Sequence, residues 1–245
     1  MLEGLNSAAA GMAAQQQRID AVANDLANAN TTGYKRVRVG FSDLVYTQTG
    51  RSSAVGPQTG AGARAVDAGR AFAQGALQRT DQPFDVAIQG EGFIKVRLAD
   101  GRQALTRDGS LRLDDKGQLV TSSGAKVQPA ITLPAGVDPS RVSIGPDGTV
   151  LAAGRQVGRI ELVTVRSPQQ LQPVGDNAFL ATPESGATRP APAATQLTQG
   201  ALEMSNTDMA DAMVQMIESQ RAFQLTSKAI QTQDQMWEIA NGVKR

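Results

Sequence analysis

The sequence predicts an α+β fold: long N- and C-terminal helices forming a coiled-coil-like helical domain, with a central antiparallel β domain inserted between them. Two observations carry this. Apolar residues recur every seven positions at both ends of the 245-residue chain, and the middle alternates short apolar stretches with glycine turns. Composition agrees. The chain is 40% hydrophobic but only 4% aromatic and holds 25 glycines, which suits a soluble protein with a modest core and many turns.

The N-terminal element is assigned to residues 1–45. Leu5, Met12, Ile19 and Leu26 fall at strict seven-residue intervals, and Ala8, Val22 and Ala29 follow three of them by three places. Asn24, Asn28 and Asn30 crowd its end, although asparagine is a mediocre helix former. Gly33 is the residue expected just past a helix end, where the chain turns left-handed. Residues 46–69 shift to Gly, Ser, Thr, Ala and Gln and read as a flexible linker.

The β domain is assigned to residues 70–200. The stretches FDVAI, GFIKVRL, QALTR, SLRLD, QLVTS, RVSI, TVLAA and RIELVTV are split by Asp100-Gly101, Asp108-Gly109, Lys116-Gly117 and Asp147-Gly148. Asp-Gly between alternating apolar residues is a strong hairpin signal, because glycine takes the positive φ a tight turn demands. An echo frames the domain: QGALQR begins at Gln74 and QGALEM at Gln199, which suggests equivalent positions where the chain enters and leaves.

Residues 201–245 carry the second seven-residue row, Met209, Met216, Phe223, Ile230 and Trp237, with Asp208 suited to the helix start. Two matching rows suggest that the ends pack on each other or on copies of themselves. Their remaining faces carry more Gln, Asn, Ser and Thr than charges, which favours helices that meet other protein. Isolated helices of this kind are marginal, so the ends are expected to be loose until packed.

The search for chemistry returns no catalytic, metal or cofactor site. Histidine and cysteine are absent, which removes the commonest general base, thiol nucleophiles, the usual zinc ligands and disulfides. Ser123 and Lys126 have the S-x-x-K spacing but lie between expected strands without the partner motifs. Gly90-Glu91-Gly92 lacks the third glycine and following helix of a dinucleotide loop, and the adjacent Asp114 and Asp115 make no acid/base pair. Lys35, Arg36 and Arg38 read as a solvated or subunit-facing patch. With a net charge of +1, nucleic acid is not an expected partner. MLEGLNSAAAGM lacks the character of a cleaved signal peptide, and no run of 18 apolar residues suggests membrane insertion.

Against this organisation, NDLANANTTGYKR (residues 24–36) closely resembles the N-terminal signature of the bacterial flagellar rod and hook protein family. DVAIQGEGFIKV and TRDGSLRLDDKGQLVTSSG resemble that family's middle segment, and MVQMIESQRAFQLTSKAIQTQDQM its C-terminal helix. Length and wording are most like the distal-rod members, with proximal-rod members second because the stretch after Tyr46 is short. The resemblance implies a non-enzymatic subunit of the flagellar basal body, exported uncleaved by the flagellar type III apparatus. It would polymerise helically into the rod that crosses the periplasm. Its implied partners are copies of itself, other rod proteins, the hook protein and the surrounding outer-ring proteins. Asn24, Asn28 and Asn30 then read as amide donors and acceptors toward neighbouring subunits, with Gly33 releasing the chain from the helix. The rival reading is a secreted β-domain binding module dimerised by its helical ends.

Overall fold

The computed structural model describes residues 2–44, 46–48, 58–60, 62–134 and 136–242. An N-terminal helix, a central antiparallel β region and a C-terminal helix make the chain α+β. It divides into two compact units, each built from non-contiguous segments.

The first unit comprises Met1–Ala27, Val37–Ala68 and Asp208–Arg245. Helix α1 (Leu2–Ala27) is rich in alanine, the strongest helix former, and packs against helix α2 (Met209–Gly242). Asp208 caps α2: its carboxylate accepts from the backbone N–H groups of Ala210 (2.8 Å) and Asp211 (3.1 Å). From Val37 the first unit continues as strands. The strand Val37–Asp43 pairs with Ala63–Arg70, and Tyr46–Gln48 pairs antiparallel with Gln58–Gly60. Buried Asp25 of α1 accepts from the N–H of Val37 at 3.0 Å and fixes where this ribbon starts.

The ribbon falls within residues 46–69, read from sequence as a linker that would be flexible alone; 49–57 and 61 lie outside the described residues. A small-residue composition signals the lack of a private core, but backbone pairing needs no large side chains. Small residues are even required here. Gly62 holds φ +102°, and a Cβ on it would come within 2.9 Å of the Ser7 carbonyl oxygen and 3.1 Å of Ala10 Cβ on α1.

The second unit comprises Asn28–Arg36 and Gly69–Thr207. All eight strand-like stretches of the sequence contain strands, and others accompany them. Among the described residues nine strands form one antiparallel sheet, in which Phe93–Arg97 pairs with Gln103–Thr106, Lys126–Val127 and Leu162–Thr164. The main core gathers Val86, Ile88, Ile94, Val96, Leu119, Val127, Ile131 and Val150, all close to fully buried. A second cluster is built on Phe72, Phe93 and Phe179, whose rings meet edge to face at centroid distances of 5.3–6.5 Å.

Asp100-Gly101, Lys116-Gly117 and Asp147-Gly148 are hairpin turns, their glycines at φ +85°, +73° and +86°. Asp108-Gly109 is not. The strand before it, Gln103–Thr106, pairs with Phe93–Arg97 and Ala178–Leu180, whereas the strand after it, Leu111–Leu113, pairs with Leu119–Thr121. Gly109 serves a close approach instead: a Cβ there would overlap the Val86 carbonyl. The two echo segments pair with each other, Leu202 opposite Gln78 and Glu203 opposite Leu77.

Candidate functional site: the chain junction and the paired helices

Three passages of the chain meet at the root of the β unit: residues 28–36, 69–76 and 200–207. At their centre is Glu203, fully buried on the strand Ala201–Glu203. Its carboxylate accepts from Lys35 Nζ (2.6 Å), from the Gly75 N–H (2.9 Å) and from Arg107 Nε (2.8 Å). Lys35 Nζ also donates to the Ala73 carbonyl at 2.7 Å. The remaining guanidinium nitrogens of Arg107 donate to the carbonyls of Gly92 (3.0 Å) and Gly90 (3.1 Å). Buried charges persist only when paired and hydrogen-bonded, and these are both. The trio still carries one net positive charge. Burial pushes the Lys35 ammonium below its ordinary value, Glu203 pulls it back up, and nearby Arg107 lowers it again.

The rest of the junction is neutral and directional. Gly33 donates its N–H to the Glu203 carbonyl (2.8 Å), and Thr32 Oγ1 donates to Asp108 Oδ1 (3.0 Å). Asn177 Nδ2 donates to the Thr32 carbonyl at 2.7 Å. Asn206 Nδ2 donates to the carbonyls of Ala71 (2.6 Å) and Ala73 (3.0 Å), while its Oδ1 accepts from the Arg36 N–H (2.9 Å). Tyr34 is buried with the Arg70 guanidinium 5.4 Å from its ring. Gly75 leaves no room for a side chain, since a Cβ would stand 2.1 Å from the Met204 carbonyl oxygen. The work of this arrangement is mechanical: it fastens residues 168 positions apart.

Several sequence readings change here. Lys35 is not a solvated patch, although Arg36 and Arg38 are exposed. Gly33 does have a positive φ, +68°, but α1 has ended six residues earlier at Ala27, so Gly33 is no helix cap. It is a contact residue of the β unit: a Cβ on it would meet Asp108 N at 2.6 Å and the Arg107 carbonyl carbon at 2.8 Å. Asn28, Ala29 and Asn30 also lie past the helix, so the three asparagines do not form one helical row. Asn24 is in α1, Asn28 Oδ1 accepts from Thr31 Oγ1 (3.2 Å), and Asn30 is exposed. Sequence reasoning missed Arg107 and Glu203. The one available signal was a carboxylate sharing the inward side of a short strand with Ala201, and the apolar Leu202 beside it masked that signal. The Ser123 hydroxyl lies 3.0 Å from that of Thr121 in the turn before Lys126–Val127, not on the helical turn that S-x-x-K chemistry uses.

On the helices, Leu5, Met12, Ile19 and Leu26 of α1 are half-buried and Val22 is buried. Met216, Phe223 and Ile230 of α2 are half-buried, whereas Met209 and Trp237 at the ends of that row are exposed. A second apolar stripe lies at about 200° from the first, two residues away along the helix. It consists of Val214, Leu225 and Met236, flanked by Ile217 and Ile239, and Leu225 is 70% exposed. Among the described residues no helix is long and apolar enough to cross a membrane.

Comparison with known proteins matches these regions. Residues 5–35 match the family described as flagella basal body rod protein. Residues 87–152 match the flagellar hook protein FlgE/F/G D1 domain, and residues 198–243 match the flagellar basal body rod FlgEFG protein C-terminal region. The flagellar basal-body rod protein FlgG of Borreliella burgdorferi is 40% identical over 264 aligned residues, spanning the whole of both chains. The chain belongs to the flagellar basal-body rod protein family. Two further FlgG proteins resemble this rod-family chain. That of Caulobacter vibrioides is 36% identical over 99% of this chain and all of its own. That of Bacillus subtilis is 35% identical over the full length of both. In this rod-family chain the N-terminal match runs through α1 to Lys35, and the C-terminal match takes in both Glu203 and α2.

Proposed function

We propose that this chain is a structural, non-enzymatic subunit of the bacterial flagellar basal-body rod, most like the distal-rod members. In this reading it polymerises helically into the torque-transmitting axial shaft joined to the hook. The observation that carries the reading is the double apolar character of α2. One stripe faces packed surroundings while Val214, Leu225 and Met236 stay exposed in the single chain. An exposed apolar stripe of this length is costly to leave in water and is offset by heterologous contacts that propagate from subunit to subunit.

The subunit-assembly residues are the seven-residue rows, Leu5, Met12, Ile19 and Leu26 on α1 with Val22 beside them, and Met209, Met216, Phe223, Ile230 and Trp237 on α2. Asn24, Asn28 and Asn30 supply directional hydrogen bonds toward neighbours, and Gly33 supports the junction from which the helices depart. In the filament the helices pack in coiled-coil fashion. The partners are copies of the chain, other rod proteins, the hook protein and the outer-ring proteins around the shaft. Delivery is by the flagellar type III export apparatus without a cleaved signal, and the location is the basal body across the periplasm. Electron microscopy of concentrated protein is the test, with localisation of a tagged copy to isolated basal bodies. Filaments or rods are expected; discrete closed dimers would overturn the reading in favour of a helix-dimerised binding module.

A further inference from the structure

We propose that residues 28–36 form a separable strap on the β unit, locked by the charge of Glu203, which opens as one piece while the sheet beneath stays folded. The strap belongs to the β unit by its contacts yet adds no strand to any sheet. Its backbone is held by isolated bonds: Gly33 N–H to Glu203, Arg36 carbonyl to the Ala71 N–H, and Tyr34 carbonyl to the Asn206 N–H at 3.4 Å, with single side-chain bonds from Asn177 to the Thr32 carbonyl, from Arg70 to the Lys35 carbonyl and from the Arg36 N–H to Asn206. Neither apolar cluster of the unit contains a residue of the strap, and Tyr34 is the one large apolar side chain it buries. A segment attached by polar side chains rather than by a ladder or a shared core can leave without dismantling either.

The charge that locks the strap is that of Glu203. It stands between Lys35 and Arg107, both essentially inaccessible to water, and supplies the negative charge bonded to each. Without it two cations share a dry site, and one must leave. Arg107 is held by the Gly90 and Gly92 carbonyls beside the sheet strand Phe93–Arg97. Lys35 keeps only the Ala73 carbonyl, so the strap is the part that moves. The inference concerns the single chain and stands whether or not the chain polymerises.

Hydrogen exchange followed by mass spectrometry on the full-length chain tests it. In Glu203→Gln, amides of residues 31–36 are expected to exchange on the order of a hundredfold faster, as breaking a buried ion pair implies, with residues 93–106 unchanged. Adding Lys35→Met to that variant removes the repulsion, and exchange of 31–36 should fall back toward wild type. Unchanged exchange at 31–36 in Glu203→Gln would overturn the lock. An equal rise across 93–106 would overturn the strap, because it would make the trio part of the sheet's own core. Failure of Lys35→Met to slow the exchange would overturn the charge mechanism.

Discussion

Gly33 holds φ +68° with its Cα hydrogen turned to main chain, where a Cβ would come within 2.6 Å of Asp108 N. A glycine after two threonines signals a left-handed backbone in the sequence, but the surface it faces does not show there. That surface is the backbone of Arg107 and Asp108, some 75 residues away and invisible to any local pattern. Gly33→Ala therefore meets two penalties, the left-handed backbone at about 1–2 kcal/mol and an overlap with main-chain atoms that cannot swing aside. The variant is expected to lose at least about 2 kcal/mol of β-unit stability, measured by urea denaturation. An unchanged midpoint would refute the contact. Lys35 and Glu203 were illegible for a related reason. A lysine in a basic triplet and a glutamate after Ala-Leu are each ordinary surface residues in sequence, and only their meeting makes them buried.

Among the elements, alternation of apolar residues with turn glycines located the strands well, since period two and positive φ are both local properties. The strands that were missed, such as Gln172–Gly175 and Ala178–Leu180, are short and rely on neighbours for pairing. The turns also carry a pH dependence. Asp100, Asp114, Asp138 and Asp147 are held below the ordinary carboxylate value of 3.8. Hydrogen bonds from the backbone N–H groups of Arg102, Gln118 and Ser140 hold down the first three, and one from the hydroxyl of Thr149 holds down Asp147. Their folded forms bind protons less readily than the unfolded chain does. Stability from these turns is thus present above the ordinary value and lost as pH falls through the lowered folded values. A thermal melt of the full chain should show the β transition moving down between pH 5 and pH 2, a window of about three units set by ordinary carboxylates. Asparagine at all four positions should flatten the slope; an unaltered slope would assign acid sensitivity elsewhere.

At the scale of the whole molecule, α2 carries one half-buried and one exposed apolar stripe, and on the proposed reading the exposed one serves assembly alone. Ile230 is half-buried on the stripe that includes Phe223, whereas Leu225 is exposed on the other. Ile230→Asp should weaken the helical unit and block polymerisation. Leu225→Asp should block polymerisation while leaving the circular dichroism and melting of the monomer as they are. For Leu225→Asp a penalty of about 1.5–3 kcal/mol for the apolar side chain no longer buried, with added desolvation of the charge, then appears only in the polymer. Light scattering during concentration, beside a melt of the dilute chain, reads both quantities. Normal polymers from Leu225→Asp would remove the exposed stripe from the interface.

The 168-residue span between Lys35 and Glu203 sets the order in which the chain can be finished. When such a chain emerges N-terminus first, its strap arrives with an ammonium whose counter-charge has not yet appeared. Every strand of the large sheet precedes that carboxylate in the sequence, and α2 follows it almost at once. The junction therefore closes only after every strand of that sheet has been made. A shortened product that stops before position 203 lacks the carboxylate bonded to Lys35 in the closed junction.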